Sequence, residues 1–340
     1  MTATEKEKHD RPLVTFAVFA YNQEKYIREA IEGAFAQTYE PLEIILSDDC
    51  STDRTFEIMQ EMAGGYSGQH TVKVRQSGQN VGTLSHVLSV AREASGDILV
   101  VAAGDDISKP NRTEITVYEF EKQEADVLSG SSEIFEDSPD EITYMRSASC
   151  AISDHLLSGA PLVQQIHGAT AAYKKNFLDG LCMPEEKILL EDYYFRIVAF
   201  WLDMRVKTID EPLVLHRVHE RNVGPKARHG SDKKTILDHE REIATHWDRM
   251  ECLLLHLRDN WGKITDGGTI CENSRHVILD DAITYYRMKK RWFGFSTEEK
   301  IRFFKLSRKF SNKRSDLLRV LGVNCFIFVY NFRAVLKINM

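Results

Sequence analysis

Glu43-Ile44-Ile45-Leu46-Ser47-Asp48-Asp49 is the stretch whose reading decides the fold. A short apolar run reads as a strand, and it ends by delivering two carboxylates into a loop. Working outward, Leu13 to Ala20 reads as a preceding strand, and Ile27, Ala30, Ile31 and Ala34 recur between the two at helical spacing. Beyond the acidic pair, Ser51 or Asp53 can cap a helix, Val72 to Arg75 is a short strand, and Leu84, Val87, Leu88 and Ala91 mark another helix. Asp97 to Ala102 then repeats the opening pattern, a strand followed at once by Gly104, Asp105 and Asp106. Consecutive strand and helix signals of this kind predict an α/β fold, a Rossmann-like, mostly parallel sheet flanked by helices. Two acidic loops then share the carboxyl edge, where open α/β sheets place their ligands.

The rest of the chain sets limits on this reading. Its 340 residues suit one domain of roughly 200 to 250 residues with an appendage. The hydrophobic share of 43% and charged share of 28% are those of an ordinary globular chain. No stretch reaches the roughly 20 apolar residues of a spanning helix. Met1 to Arg11 is polar and charged, unlike a secretory signal, so cytoplasmic residence is expected. Six cysteines (50, 150, 182, 252, 271 and 325) lack any CxxC pair, which argues for reduced, packed thiols over zinc or disulfides.

Downstream, Ser129 to about Ala160 has a weak pattern, with Glu136 to Asp140 suggesting an exposed loop. Glu191 to Trp201 reads as a helix, Met204 to Thr208 and Pro212 to Val218 as two strands, and Asn222 to Gly230 as a lid-like polar segment. After His229 the pattern is helical. The expected division is residues 12–225 for the sheet domain and 229–340 for a helical C-terminal region.

Four motifs in register, Ala20-Tyr21-Asn22, Ser47 to Asp53, Asn80-Val81-Gly82 and Gly104-Asp105-Asp106, resemble the nucleotide-binding half of family 2 glycosyltransferases, whose fold is called GT-A. The likeness covers about residues 12 to 220. It implies an inverting transferase that takes a sugar from a nucleotide diphosphate donor, a UDP-sugar being favoured, to a hydroxyl of a glycan or lipid-linked saccharide. By resemblance Asp49 reads a uracil-like base, with Ala20, Tyr21, Asn22, Asn80 and Gly82 around it. Asp105 and Asp106 stand at the DXD-like motif, where carboxylates hold ribose and a divalent metal, Mn²⁺ or Mg²⁺. Ala103 occupies the place of that motif's first acid, which leaves open which of Asp105 and Asp106 is the ligand. Asp192 of the Glu191-Asp192 pair takes the place of the general base, which needs an ionised carboxylate within reach of the acceptor hydroxyl. Arg217 and His219 match an Arg-x-His pair near the leaving diphosphate, His219 joining Asp105 and Asp106 as a candidate metal residue. On a strand, His216 and His219 would point to opposite faces. His167-Gly168-Ala169-Thr170 falls where the family shapes its acceptor pocket.

Two other readings stand beside this one. A nucleotidyltransferase would need a Gly-rich, basic phosphate loop after the first strand, and Tyr21-Asn22-Gln23-Glu24 offers none. A non-catalytic nucleotide-sugar-binding scaffold of the same fold would not need Asp49, Asp105, Asp106 and Asp192 together.

The net charge of −7 conceals an asymmetry: residues 287–340 carry 14 Lys and Arg against 3 acids. Cations there interleave with apolar side chains, as in Lys289-Lys290-Arg291-Trp292-Phe293 and Leu317 to Val329. That composition predicts peripheral docking on an anionic membrane, at the inner face of the plasma membrane. A helical cap or a dimer interface is the alternative. The acidic remainder and the lack of a binding motif argue against nucleic acid as a partner.

Overall fold

The computed structural model describes residues 11–148, 166–219, 233–264, 272–290 and 296–310. These group into two units, one holding 11–148 and 166–219, the other built from helices at 233–262, 272–290 and 296–310.

The first unit opens with strands β1 (Val14–Ala20), β2 (Leu42–Asp48), β3 (Thr71–Gln76) and β4 (Ile98–Ala103). They alternate with helices α1 (Ile27–Phe35), α2 (Thr55–Gly64) and α3 (Thr83–Glu93). β1, β2 and β4 are buried nearly throughout because helices cover the sheet, so apolar residues run on without alternation. Ile27, Ala30, Ile31 and Ala34 of α1 are buried as the spacing predicts, and so are Leu84, Val87, Leu88 and Ala91 of α3. Parallel pairing sets Ala20 level with Asp48 and Phe19 level with Ala103, which brings the three carboxyl ends to one edge.

After β4 come β5 (Ile107–Ser108), α4 (Arg112–Lys122), β6 (Val127–Phe135), β7 (Tyr144–Arg146), a 3₁₀ turn (Gly168–Thr170), β8 (Ala171–Lys174), α5 (Lys175–Asp179), α6 (Glu191–Trp201) and β9 (Val206–Arg217). All nine strands join one sheet, in the order β3-β2-β1-β4-β8-β6-β9-β5 with β7 on β6. β8 runs antiparallel to both β4 and β6. Only Gly104, Asp105 and Asp106 separate β4 from β5, yet β5 pairs with β9 at the far end of that order. The sheet therefore curls until the end of β9 meets the loop after β4.

Two expectations give way here. The weak pattern from Ser129 hides β6, whose buried Ser129 and Ser131 satisfy their hydroxyls internally, Ser131 Oγ donating to Ile209 O at 3.2 Å. The two strands expected at 204–208 and 212–218 are one, β9, with register shifts against Gly130 to Ser132 of β6. Asp137 to Asp140 forms turns as expected. The Asn222–Gly230 segment lies outside the described residues.

The second unit comprises α7 (Lys233–Ile264), α8 (Glu272–Lys290) and α9 (Thr297–Phe310). On α7, Trp247, Met250, Leu254, Leu257 and Trp261 recur at helical spacing and are buried. Tyr285 of α8 stacks on Phe303 of α9 with ring centroids 5.6 Å apart. Lys289, counted in the sequence with the interfacial cations, lies over the Trp247 ring at 5.3 Å and is part of the packing. Among the described residues no helix is long and apolar enough to cross a membrane.

Candidate active site

The loops after β1 and β2 are tied together. Asp49 N donates to Ala20 O at 2.9 Å, Asn22 N donates to Ser51 Oγ at 2.8 Å, and Asn22 Oδ1 accepts from Thr52 N at 2.8 Å. Asn22 and Cys50 both take positive φ, 54° and 63°, to make these turns. Asp53 caps α2 through Thr55 N at 3.0 Å, while Ser51 is spent on Asn22 and Asp48. Asp48 is fully buried and accepts from Ser51 and from Gln76 Nε2.

Asp49 lies one residue beyond β2 and is 3% exposed. Its two oxygens accept from Val81 N and Gly82 N, each at 3.0 Å, and so hold the turn that opens α3. Gly82 has φ +82°, and a Cβ there would lie 2.7 Å from Lys187 Cγ, so no other residue fits without strain. Around this turn Tyr21 is 44% exposed, and Asn80 Oδ1 is buried and, among the described residues, has no partner.

The second acidic pair is where β4 meets β9. Asp106 is 4% exposed and accepts from Arg217 N at 2.9 Å, while its other oxygen faces His216 Nδ1 at 2.9 Å. Burial pulls the His216 imidazole down, but the Asp106 carboxylate outweighs it and holds the proton above the ordinary histidine range. Burial pushes Asp106 up, so the two groups hold one proton between them. Asp105 Oδ2 lies 2.9 Å from His219 Nε2, and among the described residues Asp105 Oδ1 has no partner. His216 and His219 do not diverge as a strand would make them. β9 ends at Arg217, and both rings converge on the pair.

Arg217 is 6% exposed and well held. It donates to Glu29 Oε2 at 2.9 Å and to Asp105 O at 3.2 Å, between the rings of Phe135 at 4.5 Å and Tyr26 at 5.0 Å. Tyr26 also stacks on His219, 4.7 Å between centroids. Tyr26 and Glu29 are parts of the site that sequence reading passed over, because they sit in and just before an ordinary amphipathic helix. Arg112 was also missed. It is buried beneath the loop and donates to Ser108 Oγ at 2.9 Å and Val101 O at 2.6 Å.

Glu191 and Asp192 open α6, where the helix dipole favours negative charge. Burial opposes it and pushes the Glu191 carboxyl up to about 7, aided by the charge of Asp192; burial raises Asp192 as well. The 3₁₀ turn lies against this pair. A Cβ on Gly168 would meet Glu191 Oε1, so the bare backbone leaves room for the carboxylate where it stands. The adjoining His167 donates its backbone N–H to Ser129 Oγ at 3.0 Å, and its Nε2 is buried and, among the described residues, has no partner. Burial lowers this imidazole to about 4, helped by the nearby charges of Arg146, His216 and Arg196. One turn thus connects the acidic pair after β4, through His216, with the acidic pair on α6, through Gly168.

Comparison with known proteins bears on the domain and its fold. Residues 15–181 match the family model described as Glycosyl transferase family 2. The chain is 38% identical over 114 residues to the putative glycosyltransferase EpsE of Bacillus subtilis, covering 33% of this chain and 39% of that protein. It is 31% identical over 119 residues to the glycosyltransferase GlyG of Streptococcus pneumoniae, covering 35% of this chain and 38% of that one. The matched stretch thus spans about two fifths of each relative's length. Among solved structures, S. aureus TarS 1–349 in complex with UDP-GlcNAc shares the fold at a TM-score of 0.55 and 16% identity, covering 94% of this chain and 88% of that one. The mannosyltransferase PcManGT from Pyrobaculum calidifontis, in complex with GDP-Man and Mn²⁺, does so at 0.51 and 14% identity, covering 98% and 89%. The curled sheet is that of a GT-A fold, and within it residues 15–181 carry a family 2 glycosyltransferase domain.

Proposed function

We propose that the chain transfers a sugar from a nucleotide diphosphate donor, a UDP-sugar being favoured, to a hydroxyl of a glycan or lipid-linked saccharide, with inversion at the anomeric carbon. The observation that carries this reading is the single turn joining the Asp105–Asp106 edge to the Glu191–Asp192 pair, because displacement needs a leaving group and a base on opposite sides of one carbon. The UDP-GlcNAc and GDP-Man in the two related structures support a nucleotide-sugar donor.

In this reading the exposed Tyr21 ring and the polar turn held by Asp49, with Asn80 and Gly82, receive the nucleotide. Asp192 accepts the proton of the acceptor hydroxyl as its oxygen attacks, which requires the carboxylate form. Burial raises both carboxyls, and the charge of Asp192 adds to the rise at Glu191.

The residues also fit a divalent metal, with a limit. Among the described residues no three His, Cys, Asp or Glu side chains group as a metal cage. A hard cation carried by a diphosphate needs only one or two protein carboxylates, and Asp105, oriented by His219, has an oxygen to give. When bound, such a cation neutralises charge on the leaving diphosphate. Asp106, engaged on both oxygens, holds the loop that presents Asp105.

The acceptor side is read from α9, where Ile301 and Phe304 are exposed, 55% and 37%, among Lys300, Arg302 and Lys305. Such a face suits an anionic bilayer. Flotation with anionic liposomes checks it: full-length protein floats, and Ile301→Glu with Phe304→Glu does not.

The donor reading is tested by thermal stabilisation with UDP and GDP, with and without Mn²⁺. A metal-dependent shift with one nucleotide, lost in Asp105→Asn, supports it; no shift with either overturns it.

A further inference from the structure

Arg146 is a cation near the site whose charge the proposed reaction leaves unused. It closes β7 and pairs in register with Ser132 of β6, which in turn pairs with Val214 of β9, two residues before His216. Register partners share a face of the sheet, and so do residues two apart on a strand, which puts Arg146 and His216 on the same face. Its charge is felt at both His216 and His167, on two different elements. Yet the side chain is only partly exposed, and among the described residues no carboxylate pairs with it. Of the neighbouring acids, Asp106 is held by His216 and Arg217, Asp105 has one oxygen on His219, and Glu191 and Asp192 lie across the Gly168 turn. A half-buried guanidinium loses hydration without gaining a counter-charge, so such a group is normally found paired. His167, on which the Arg146 charge acts, has an Nε2 that is buried and, among the described residues, has no hydrogen-bond partner.

We propose that Arg146, beside the His167 turn, recognises an anionic group, a carboxylate or a phosphate, carried by the sugar being moved or by its acceptor. The planar fork of an arginine suits either oxyanion through paired N–H donors. This rests on the donor reading above.

The test measures binding to the full chain with Mn²⁺ present, in three arms: UDP alone, UDP-glucose against UDP-glucuronate, and glucose against glucose 6-phosphate with UDP bound. The wild type is expected to prefer the anionic member of one pair, and which pair it is assigns the charge to donor or acceptor. Arg146→Gln should weaken that member about tenfold and leave UDP and the neutral member unchanged, while Arg146→Lys keeps part of the preference. Unchanged UDP binding also shows that the variant is folded. Weaker binding of UDP itself in Arg146→Gln would assign the residue to the diphosphate and overturn the proposal, as would equal binding within both pairs by the wild type. Failure of the wild type to bind UDP would instead overturn the donor reading.

Discussion

Two adjacent-aspartate pairs stand at strand ends on one edge of one sheet, on either side of β1, and in sequence they look interchangeable. After β2, Asp48 and Asp49 are both used up in holding backbone and side chains, the first on Ser51 and Gln76 and the second on Val81 and Gly82. After β4, Asp106 is likewise used up on His216 and Arg217, but Asp105 keeps one oxygen. A carboxylate with both oxygens engaged by neighbours shapes a site, and one with an oxygen to spare can serve a ligand. The motif gives the place, and the hydrogen-bond inventory gives the job. The pair on α6 is a third case, two acids kept together by burial and raised for that reason.

Substitutions can break or sharpen this contrast. The largest effect is expected at Asp192. Asp192→Asn should lower the transfer rate about 10² to 10⁴-fold with nucleotide binding intact, measured by single-turnover transfer and by nucleotide titration. An undiminished rate would remove the α6 pair from the chemistry.

Next come the two members of the β4 pair. Asp105→Asn should abolish metal-dependent nucleotide stabilisation while moving the unliganded melting temperature little. Asp106→Asn should destabilise the fold by about 1 to 3 kcal/mol, because a buried histidine and a backbone N–H lose a charged acceptor. Equal melting temperatures for the two variants would erase the distinction. Asp49→Ala should resemble Asp106→Asn, leaving two backbone N–H groups without acceptors at a similar cost.

The smallest effect concerns pH. The fold holds Glu191 at about 7 against an ordinary 4.5, so the folded state favours its protonated form. That contribution to stability is complete below 4.5 and is lost as pH rises through 7. Glu191→Gln should therefore gain a few degrees of melting temperature relative to wild type at pH 8 and none at pH 4. Activity runs the other way: Asp192 must be ionised, so the rate should climb as pH rises through the range in which the pair gives up its proton.

The parallel half of the fold was legible because buried strands and amphipathic helices write their period into the chain. The acidic loops were legible because strand ends fall where the apolar runs stop. β6 was not, since a strand made partly of serines shows no apolar run, and its hydroxyls find partners only in the folded sheet. Arg112 and His86 were illegible for a related reason. They are polar residues buried in helices, His86 facing Ser47 Oγ at 2.6 Å and held neutral by burial, its imidazole lowered to about 3. The convergence of His216 and His219 could not be foreseen either, because it depends on the strand stopping at Arg217 and on the sheet curling back to the β4 loop.

That curl places a constraint on birth as well as on catalysis. Asp105 and its partner His219 are 114 residues apart, and Asp106 and His216 are 110 apart. At the ribosome's pace of about 5 to 20 residues per second, Asp105 is made roughly 6 to 23 seconds before His219. A nascent chain halted before residue 216 has both acidic loops but lacks His216, Arg217 and His219, which hold the carboxylates of the second one. Such a chain should be readily cut by protease at the Asp105–Asp106 loop, and protection should arrive abruptly once β9 is out.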